Sequence, residues 1–239
     1  MRLDPPRPPV ESFCMRILLV GHGRMGKLVE SLAPEYECEV AGIIDRRSSV
    51  TGAGGEGRVD VAIDFSAPSA VVANVPALAR RGINLVVGTT GWQQDEAPVR
   101  AAVEESGVGM VAAANFSTGV VIFEAVVAQA ASLFARQAEF GAWIHEAHHA
   151  AKKDAPSGTA LMLARAMEQA GFTRRIDVAS TRAGHIPGTH TVGFDGPAES
   201  IALSHTARDR STFARGALLA ARWVNGKRGW FTMKDVLGV

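Results

Sequence analysis

The densest group of side chains able to move protons lies in the segment HEAHHAAKKDAPSGTA, at positions 145–160. Three of the seven histidines fall within its first five residues, and Lys152, Lys153 and Asp154 follow them. A histidine can supply a proton near neutral pH, and a lysine can do so when burial and neighbouring positive charge lower its pKa. This composition predicts an acid beside a pocket for a small anion. The competing interpretation is a solvated turn with exposed histidines and lysines.

The second half of this segment predicts an anion-binding helix start. Asp154-Ala155-Pro156-Ser157 has the composition of a turn followed by an N-cap, and GTALMLARAMEQAG continues as a helix that ends at Gly171. The backbone N–H groups of Gly158 and Thr159 then lack partners within the helix, and they suit a carboxylate. The segment therefore favours a small anionic substrate held next to its acid.

The residues His145-Glu146-Ala147-His148-His149 also match HExxH, the pattern of zinc metalloproteases. That pattern binds zinc only on a helix, where side chains four residues apart share one face. The preceding FGAWI is short, contains a glycine and favours a strand. In a strand the two histidines would lie roughly 13 Å apart at ~3.3 Å per residue. We therefore predict no metal in this segment.

A glycine-rich loop near the start of the chain is the candidate site for a dinucleotide. GHGRMG, at positions 21–26, fits GxGxxG and stands between a strand-like run and a helix-like run. Its glycines permit a tight turn, close approach of a pyrophosphate and close packing of helix on strand. An acid that can bind ribose hydroxyls ends the next strand-like run 19 residues after the loop, near the ~20 expected. The residues predicted to bind are Gly21, His22, Gly23, Arg24, Met25, Gly26 and Asp45.

The charges at the end of the second strand-like run bear on the choice of cofactor. Asp45 favours NADH, whereas Arg46 or Arg47 can pair with the 2′-phosphate of NADPH. Both arginines could equally be solvated loop charges. We expect Arg46 to contribute and the chain to use NADH or NADPH.

The elements around these segments alternate in the manner of a parallel sheet. Short apolar runs at 15–20, 38–45, 59–65, 83–88 and 108–113 indicate strands, with helix-length segments between most of them. A long apolar helix is then followed by four strand-like pieces without regular crossover helices, which is typical of an α+β unit. We predict an α/β fold: a Rossmann-like doubly wound parallel sheet plus a smaller α+β substrate-binding and oligomerisation domain.

The predicted domain boundaries follow from this change of pattern. Residues 15–115 and 212–239 form the dinucleotide-binding domain, because the helix-like FARGALLAARWV and the tail are expected to return to it. Residues 116–211 form the second domain. Residues 1–14 are Pro-rich and lack the apolar core of a secretion signal, so we expect either a disordered leader or a start codon assigned upstream of Met15.

Composition excludes several classes of protein. Of the 239 residues, 47% are hydrophobic and 21% are charged, which excludes disordered, collagen-like and coiled-coil chains. The net charge of +1 argues against a nucleic-acid partner. No apolar run approaches the ~18–20 residues of a spanning helix, so no membrane partner is predicted. Cys14 and Cys38 fit a reducing compartment, and we expect a cytoplasmic protein.

Taken together, these residues resemble the 4-hydroxy-tetrahydrodipicolinate reductase (dihydrodipicolinate reductase) family of lysine and diaminopimelate biosynthesis. EAHHAAKKDAPSGTAL is similar to the family signature E-x-H-H-x-x-K-x-D-x-P-S-G-T-A. The resemblance spans Met15 to the C-terminus, because DFSAP, VVGTTGW, AANFSTGV, TRAGHIPGTHTVGF and TFARGAL are further family-like pieces.

The resemblance implies a role for each matching residue. His148 matches the acid/base histidine and Lys152 the proton donor, and which of them protonates the substrate stays open. His149, Gly158 and Thr159 match substrate contacts. The segments that approach the nicotinamide are matched by Gly88, Thr89, Thr90, Ala113, Ala114, Asn115 and Phe116. The resemblance further implies a small dicarboxylate substrate, NADH or NADPH, and a homotetramer assembled through the second domain.

Two departures from the family pattern bear on the cofactor. The glycine loop is one residue shorter than the GxxGxxG of many members, and the stretch between Asp45 and Asp64 is short beside theirs. Two other functions remain open. One is another two-domain dehydrogenase, which would lack HHxxKxDxPSGT, and the other is a regulatory dinucleotide-binding module without turnover.

Overall fold

The computed structural model describes residues 14–45 and 57–239. Predictions made for residues 1–13, for Arg46 and for Arg47 lie outside this part of the chain. No helix within the described ranges is both long and apolar enough to cross a bilayer. The N-terminal half contains, in order, β1 (Met15–Val20), α1 (Arg24–Leu32), β2 (Cys38–Ile44), β3 (Val61–Asp64), α2 (Pro68–Ala79), β4 (Asn84–Val87), α3 (Glu96–Ser106) and β5 (Gly109–Ala112).

The remaining elements form the second domain and a C-terminal return. They are α4 (Thr118–Phe134), β6 (Gly141–His148), α5 (Gly158–Gln169), β7 (Ile176–Arg182), β8 (Thr189–Asp195), β9 (Ser200–Thr206), α6 (Ser211–Val224), β10 (Gly229–Phe231) and α7 (Met233–Leu237).

The first sheet is parallel throughout. Its six strands lie in the order β10-β5-β4-β3-β1-β2. β3 and β4 are buried along their whole length, as expected when helices cover both faces of a parallel sheet. The strand order reverses between β1 and β3, and ligands of such sheets bind beyond the carboxyl ends of the strands at this point. The predicted fold class is confirmed.

The C-terminal segment packs back on the first sheet. α6 buries Ala214 and Leu218 in the same apolar cluster as Ile17 of β1. Its Gly216 allows a close approach, because a Cβ there would lie 1.7 Å from the carbonyl oxygen of Phe116. β10 then pairs with β5 and extends the sheet. The C-terminal segment thus adds a packed helix and an edge strand to the first sheet.

The second sheet is smaller and mixed. Its strands lie in the order β7-β6-β8-β9, with β6 parallel to β7 and antiparallel to β8. α4 and α5 cover one face through a cluster that includes Ile144, Leu163 and Phe194. The other face exposes Trp143 and His145. The long β6 leads directly into the predicted acid–base segment.

Candidate active site

A cavity of about 890 Å³ lies between the two domains. Its walls come from the dinucleotide side of the molecule and from the acid–base segment. Its lining includes Met25, Ala114, Asn115, His148, His149, Lys152, Gly158, Thr159, Met162, Arg210 and Phe213. The structure therefore brings both histidines, the lysine and the predicted anion-binding helix start to one cavity.

His148 is the last residue of β6, and its side chain contacts that of Glu146. Since residues two apart on a strand share a face, both side chains point away from exposed His145. His148 Nδ1 lies 2.5 Å from Glu146 Oε2. Burial lowers the pKa of His148, and the charges of Lys152 and Arg182 act in the same direction, whereas Glu146 raises it.

Glu146 is fully buried and is paired with Arg182 of β7. Arg182 donates to both carboxylate oxygens, with Nη2–Oε1 at 2.7 Å and Nη1–Oε2 at 2.9 Å. The backbone N–H of Ser157 also donates to Oε1, at 3.2 Å. Burial raises the pKa of Glu146, but the hydrogen bonds, first among them those from Arg182, outweigh it and lower the pKa to about 2. The carboxyl group is therefore ionised.

Ser157 caps α5 and also contacts His190, a buried histidine of β8. Its Oγ accepts from the backbone N–H of Ala160 at 3.2 Å and lies 2.9 Å from Nε2 of His190. Burial and the neighbouring His148 lower the pKa of His190 to about 4, so its ring is neutral near neutral pH. Because Oγ accepts from the helix, we assign its proton to the bond with His190. This cap leaves the N–H groups of Gly158 and Thr159 directed out of the helix start.

Lys152 lies on the turn between β6 and α5. Its Nζ donates to both oxygens of Asp154, at 2.7 and 2.9 Å. The Lys152 side chain is 23% exposed and that of Asp154 is 59% exposed. The partner of Lys152, Asp154, is thus the more exposed of the two side chains, and an anion in the cavity can approach the lysine from the other side.

A second cavity, of about 660 Å³, lies at the carboxyl ends of β1 and β2. It is lined by Gly21, His22, Gly23, Asp45, Phe65, Ser66 and Asn74, among others. Gly21 has a φ of +93°, and a Cβ there would lie 2.5 Å from the carbonyl oxygen of Phe65. Gly26 is equally confined, because its Cβ would lie 2.2 Å from the carbonyl oxygen of Gly21. These glycines are required by the turn, as the dinucleotide fingerprint predicts.

The predicted cofactor residues divide into three groups. Gly21, His22, Gly23 and Asp45 border the second cavity, whereas Met25, Ala114 and Asn115 border the first. His22 Nε2 lies 2.7 Å from Glu30 Oε2, and Arg24 is exposed at the start of α1. A third group lines neither cavity and comprises Arg24, Gly26, Gly88, Thr89, Thr90, Ala113 and Phe116. Of these, Thr89 is buried and donates its hydroxyl to Asp64 at 2.8 Å.

The side chains of Glu146, His148 and His190 could also attract a cation. Their ligand atoms lie within 4.8 Å of one another. Both oxygens of Glu146 already accept hydrogen bonds from Arg182, whose positive charge opposes a metal ion there. We therefore interpret the cluster as a hydrogen-bond network. The HExxH segment itself is a strand, with His145 on the open face.

Comparison with known proteins connects both domains to one family. Residues 15–116 match the model described as dihydrodipicolinate reductase, N-terminus, and residues 119–237 match dihydrodipicolinate reductase, C-terminus. The chain belongs to this family. Similar proteins include the 4-hydroxy-tetrahydrodipicolinate reductase of Christiangramia forsetii, 35% identical over 93% of this chain and 98% of the relative. That of Methanoregula boonei is 40% identical over 91% of this chain and 95% of the relative.

Solved structures support the fold. A dipicolinate-bound dihydrodipicolinate reductase from Paenisporosarcina sp. TG-14 superposes with a TM-score of 0.78 at 19% identity, covering 93% of this chain and 99% of that one. A probable dehydrogenase from Thermotoga maritima reaches 0.61 at 10% identity, covering 93% and 92%. The resemblance inferred from sequence motifs is thus confirmed at the level of family and fold.

Several residues of the candidate site were missed by sequence reasoning. Arg210 and Phe213 line the first cavity at the start of α6. Arg182 and His190 come from the strands that neighbour β6 and belong to the network around Glu146 and His148. The position of Glu146 could have been predicted, because residues two apart on a strand share a face and Glu146 stands two residues before His148. The other positions could not, since strand register and the return of α6 are long-range features.

Proposed function

We propose that the chain catalyses the NADH- or NADPH-dependent reduction of 4-hydroxy-tetrahydrodipicolinate to tetrahydrodipicolinate, in which the substrate loses its 4-hydroxyl group as water and takes up a hydride and a proton. The observation that carries this proposal is the first cavity. Its lining combines His148 and the capped start of α5 with Ala114 and Asn115, which come from the side of the molecule that carries the glycine loop. A small dicarboxylate that must receive a hydride and a proton fits such a cavity.

The glycine loop fits the cofactor. Gly21 and Gly26 leave no room for a Cβ, and α1 begins immediately after Gly23, so that its N-terminal N–H groups face the cavity that would receive the pyrophosphate. Asp45 lies at the end of β2, on the ribose side. When bound, the reduced nicotinamide supplies the hydride.

The chain's own residues orient the substrate and supply the proton. One substrate carboxylate binds at the N–H groups of Gly158 and Thr159, with His149 and Lys152 adding positive charge. His148 and Lys152 are the candidate acids, and both lie on the same wall of the cavity. Orientation and a positioned acid are the protein's share of such a reaction.

The same proposal assigns the domains. Residues 15–115 and 212–239 bind the dinucleotide, because β10 and α6 belong to the first sheet and its covering layer. Residues 116–211 bind the substrate and form a homotetramer. The open face of the second sheet supports this assembly, since Trp143 lies over Gly193 there and remains 36% exposed. Light scattering on the purified chain tests the tetramer.

Steady-state oxidation of NADH and NADPH with the dipicolinate-type substrate tests the reaction. We expect turnover with the wild-type chain and a loss of at least about 10²-fold in the His148→Gln, Lys152→Ala double variant. His185→Gln is the matched control, because this exposed histidine does not line the cavity. Near-normal turnover in the double variant would refute the assignment of the acids. Dinucleotide binding without turnover would favour a regulatory module instead.

A further inference from the structure

A buried ion pair, Glu146 with Arg182, contacts His148, and the function proposed above gives it no role. Glu146 is fully buried and the Arg182 side chain is 17% exposed. Apolar residues of similar volume often stabilise a core as well as a buried ion pair does. Stability alone therefore does not account for this pair, and its contacts with His148 indicate another role.

We propose that Glu146, held in place by Arg182, is the positioning residue of the acid. Its carboxylate keeps a proton on Nδ1 of His148, so that Nε2 is the atom that gives and regains the catalytic proton. The inference deepens the proposed function and rests on it, because it takes His148 as an acid of that reaction.

The hydrogen bonds of Glu146 fix the tautomer. With a pKa of about 2 it is a carboxylate, and a carboxylate can only accept hydrogen bonds. The ring atom 2.5 Å from it, Nδ1 of His148, must therefore carry a hydrogen. Only Nε2 remains for proton exchange, on the side of the ring away from Glu146. Arg182 donates to both oxygens and prevents the carboxylate from rotating away.

Space at Nε2 is kept by a glycine. A Cβ on Gly188 would lie 3.1 Å from that nitrogen, and Gly188 has a φ of +129°, which side chains rarely adopt. The backbone can therefore pass close to the ring without pushing it off Glu146. The imidazole ring of His148 therefore lies between the carboxylate of Glu146 and the backbone of Gly188.

The charges around His148 give Glu146 a second effect. The groups that face the ring are Glu146 on β6, Arg182 on β7, His190 on β8 and Lys152 on the following turn. Lys152 and Arg182 disfavour the imidazolium, and His190 stays neutral near neutral pH because burial lowers its pKa to about 4. Glu146 is the one group among the four whose charge favours the imidazolium. Its loss should lower the pKa of His148 further.

The same carboxylate also holds the anion-binding helix start. Glu146 Oε1 accepts from the backbone N–H of Ser157, the cap of α5. One residue thus sets the position of the acid relative to the Gly158 and Thr159 amides. This arrangement keeps the distance between the substrate carboxylate and the transferred proton constant.

The test is to measure the pKa of His148 without substrate. The rate at which diethyl pyrocarbonate modifies His148 is followed against pH in the full chain, with fragment mass spectrometry separating it from His145 and His149. In Glu146→Gln we expect the midpoint of this pH dependence to fall by about one pH unit. At pH values above the midpoint, kcat should fall about tenfold for each unit by which the pKa falls, because the protonated fraction of His148 falls by the same factor. KM should change less than kcat.

Two further variants keep the test decisive. Glu96→Gln is the control, because it also removes a carboxylate that is paired with an arginine, Arg100, but in an exposed pair on a helix. It should leave the midpoint of His148 unchanged. If Glu146→Gln fails to fold because Arg182 is left unpaired, the Glu146→Gln, Arg182→Met double variant removes both charges. Its midpoint should still fall, but by less, because the loss of Arg182 raises the pKa of His148. A midpoint equal to that of Glu96→Gln would overturn the inference. If the midpoint shifts in Glu146→Gln but the wild-type protein shows no reductase turnover, the proposed function is refuted and the contact between Glu146 and His148 is not.

Discussion

The hydroxyl of Ser157 has two roles that a single substitution, Ser157→Ala, removes together. It caps α5 through Ala160 and bonds the ring of His190 at 2.9 Å. Losing an N-cap costs about 0.5–2 kcal/mol of stability. Leaving the buried His190 Nε2 without a partner costs about 1–3 kcal/mol more, since His190 is only 5% exposed. We therefore expect the free energy of unfolding to fall by about 1.5–5 kcal/mol, the sum of the two costs.

Urea or thermal unfolding of the wild type and the variant measures this change. For a chain of this size each kcal/mol lowers Tm by about 2–4 °C, so a drop on the order of 10 °C is expected. Ser132→Ala is the control, because that hydroxyl bonds only the carbonyl of Gln129 on an exposed helix surface. Its effect should stay within about 0.5 kcal/mol. A Ser157→Ala variant as stable as Ser132→Ala would refute the double role of the cap.

Three further predictions concern the cofactor loop and pH. Gly21→Ala should weaken binding of NADH strongly in a fluorescence titration, because a Cβ on Gly21 would lie 2.5 Å from the carbonyl oxygen of Phe65. The control Gly141→Ala, at the exposed start of β6 and outside the cofactor loop, should bind NADH as the wild type does. Asp45→Ala should raise the ratio of kcat/KM for NADPH to that for NADH, measured by steady-state kinetics, because it removes the acceptor for the ribose hydroxyls. The pKa of His190 is lowered to about 4 from an ordinary 6.5, so its contribution to stability is complete above pH 6.5 and is lost as the pH falls toward 4. Urea titrations should show a loss of up to about 3 kcal/mol over this range in the wild type and a flatter profile in His190→Gln, and equal profiles would contradict the assignment.

The local signals in the sequence predicted the parts of the site that one segment builds alone. The cap at Ser157 and the helix that follows depend on a turn, a small polar side chain and helical periodicity within a few residues. The glycine loop depends on a neighbour in sequence at Gly26, where a Cβ would lie 2.2 Å from the carbonyl oxygen of Gly21. These parts were located correctly, as were the alternating strands of the first sheet.

Long-range pairing determined what the sequence could not predict. Arg182 stands beside His148 because β7 pairs in parallel with β6, and His190 stands beside Glu146 because β8 pairs with β6 in the opposite sense. Neither register can be obtained from local composition. Phe213 belongs to a helix that returns to the first domain after the whole second sheet has been laid down.

The alternation of β6 explains why one short segment can serve two surfaces. Ile144, Glu146 and His148 point toward the helices and the cavity, whereas Trp143 and His145 point to the open face. A slip of one residue in pairing would exchange these two sets and bury His145 in place of the acid's carboxylate. The ion pair from Glu146 to Arg182 opposes such a slip, because it would leave a buried guanidinium without its partner. The contact that orients the acid therefore also fixes the register of the strand that carries it.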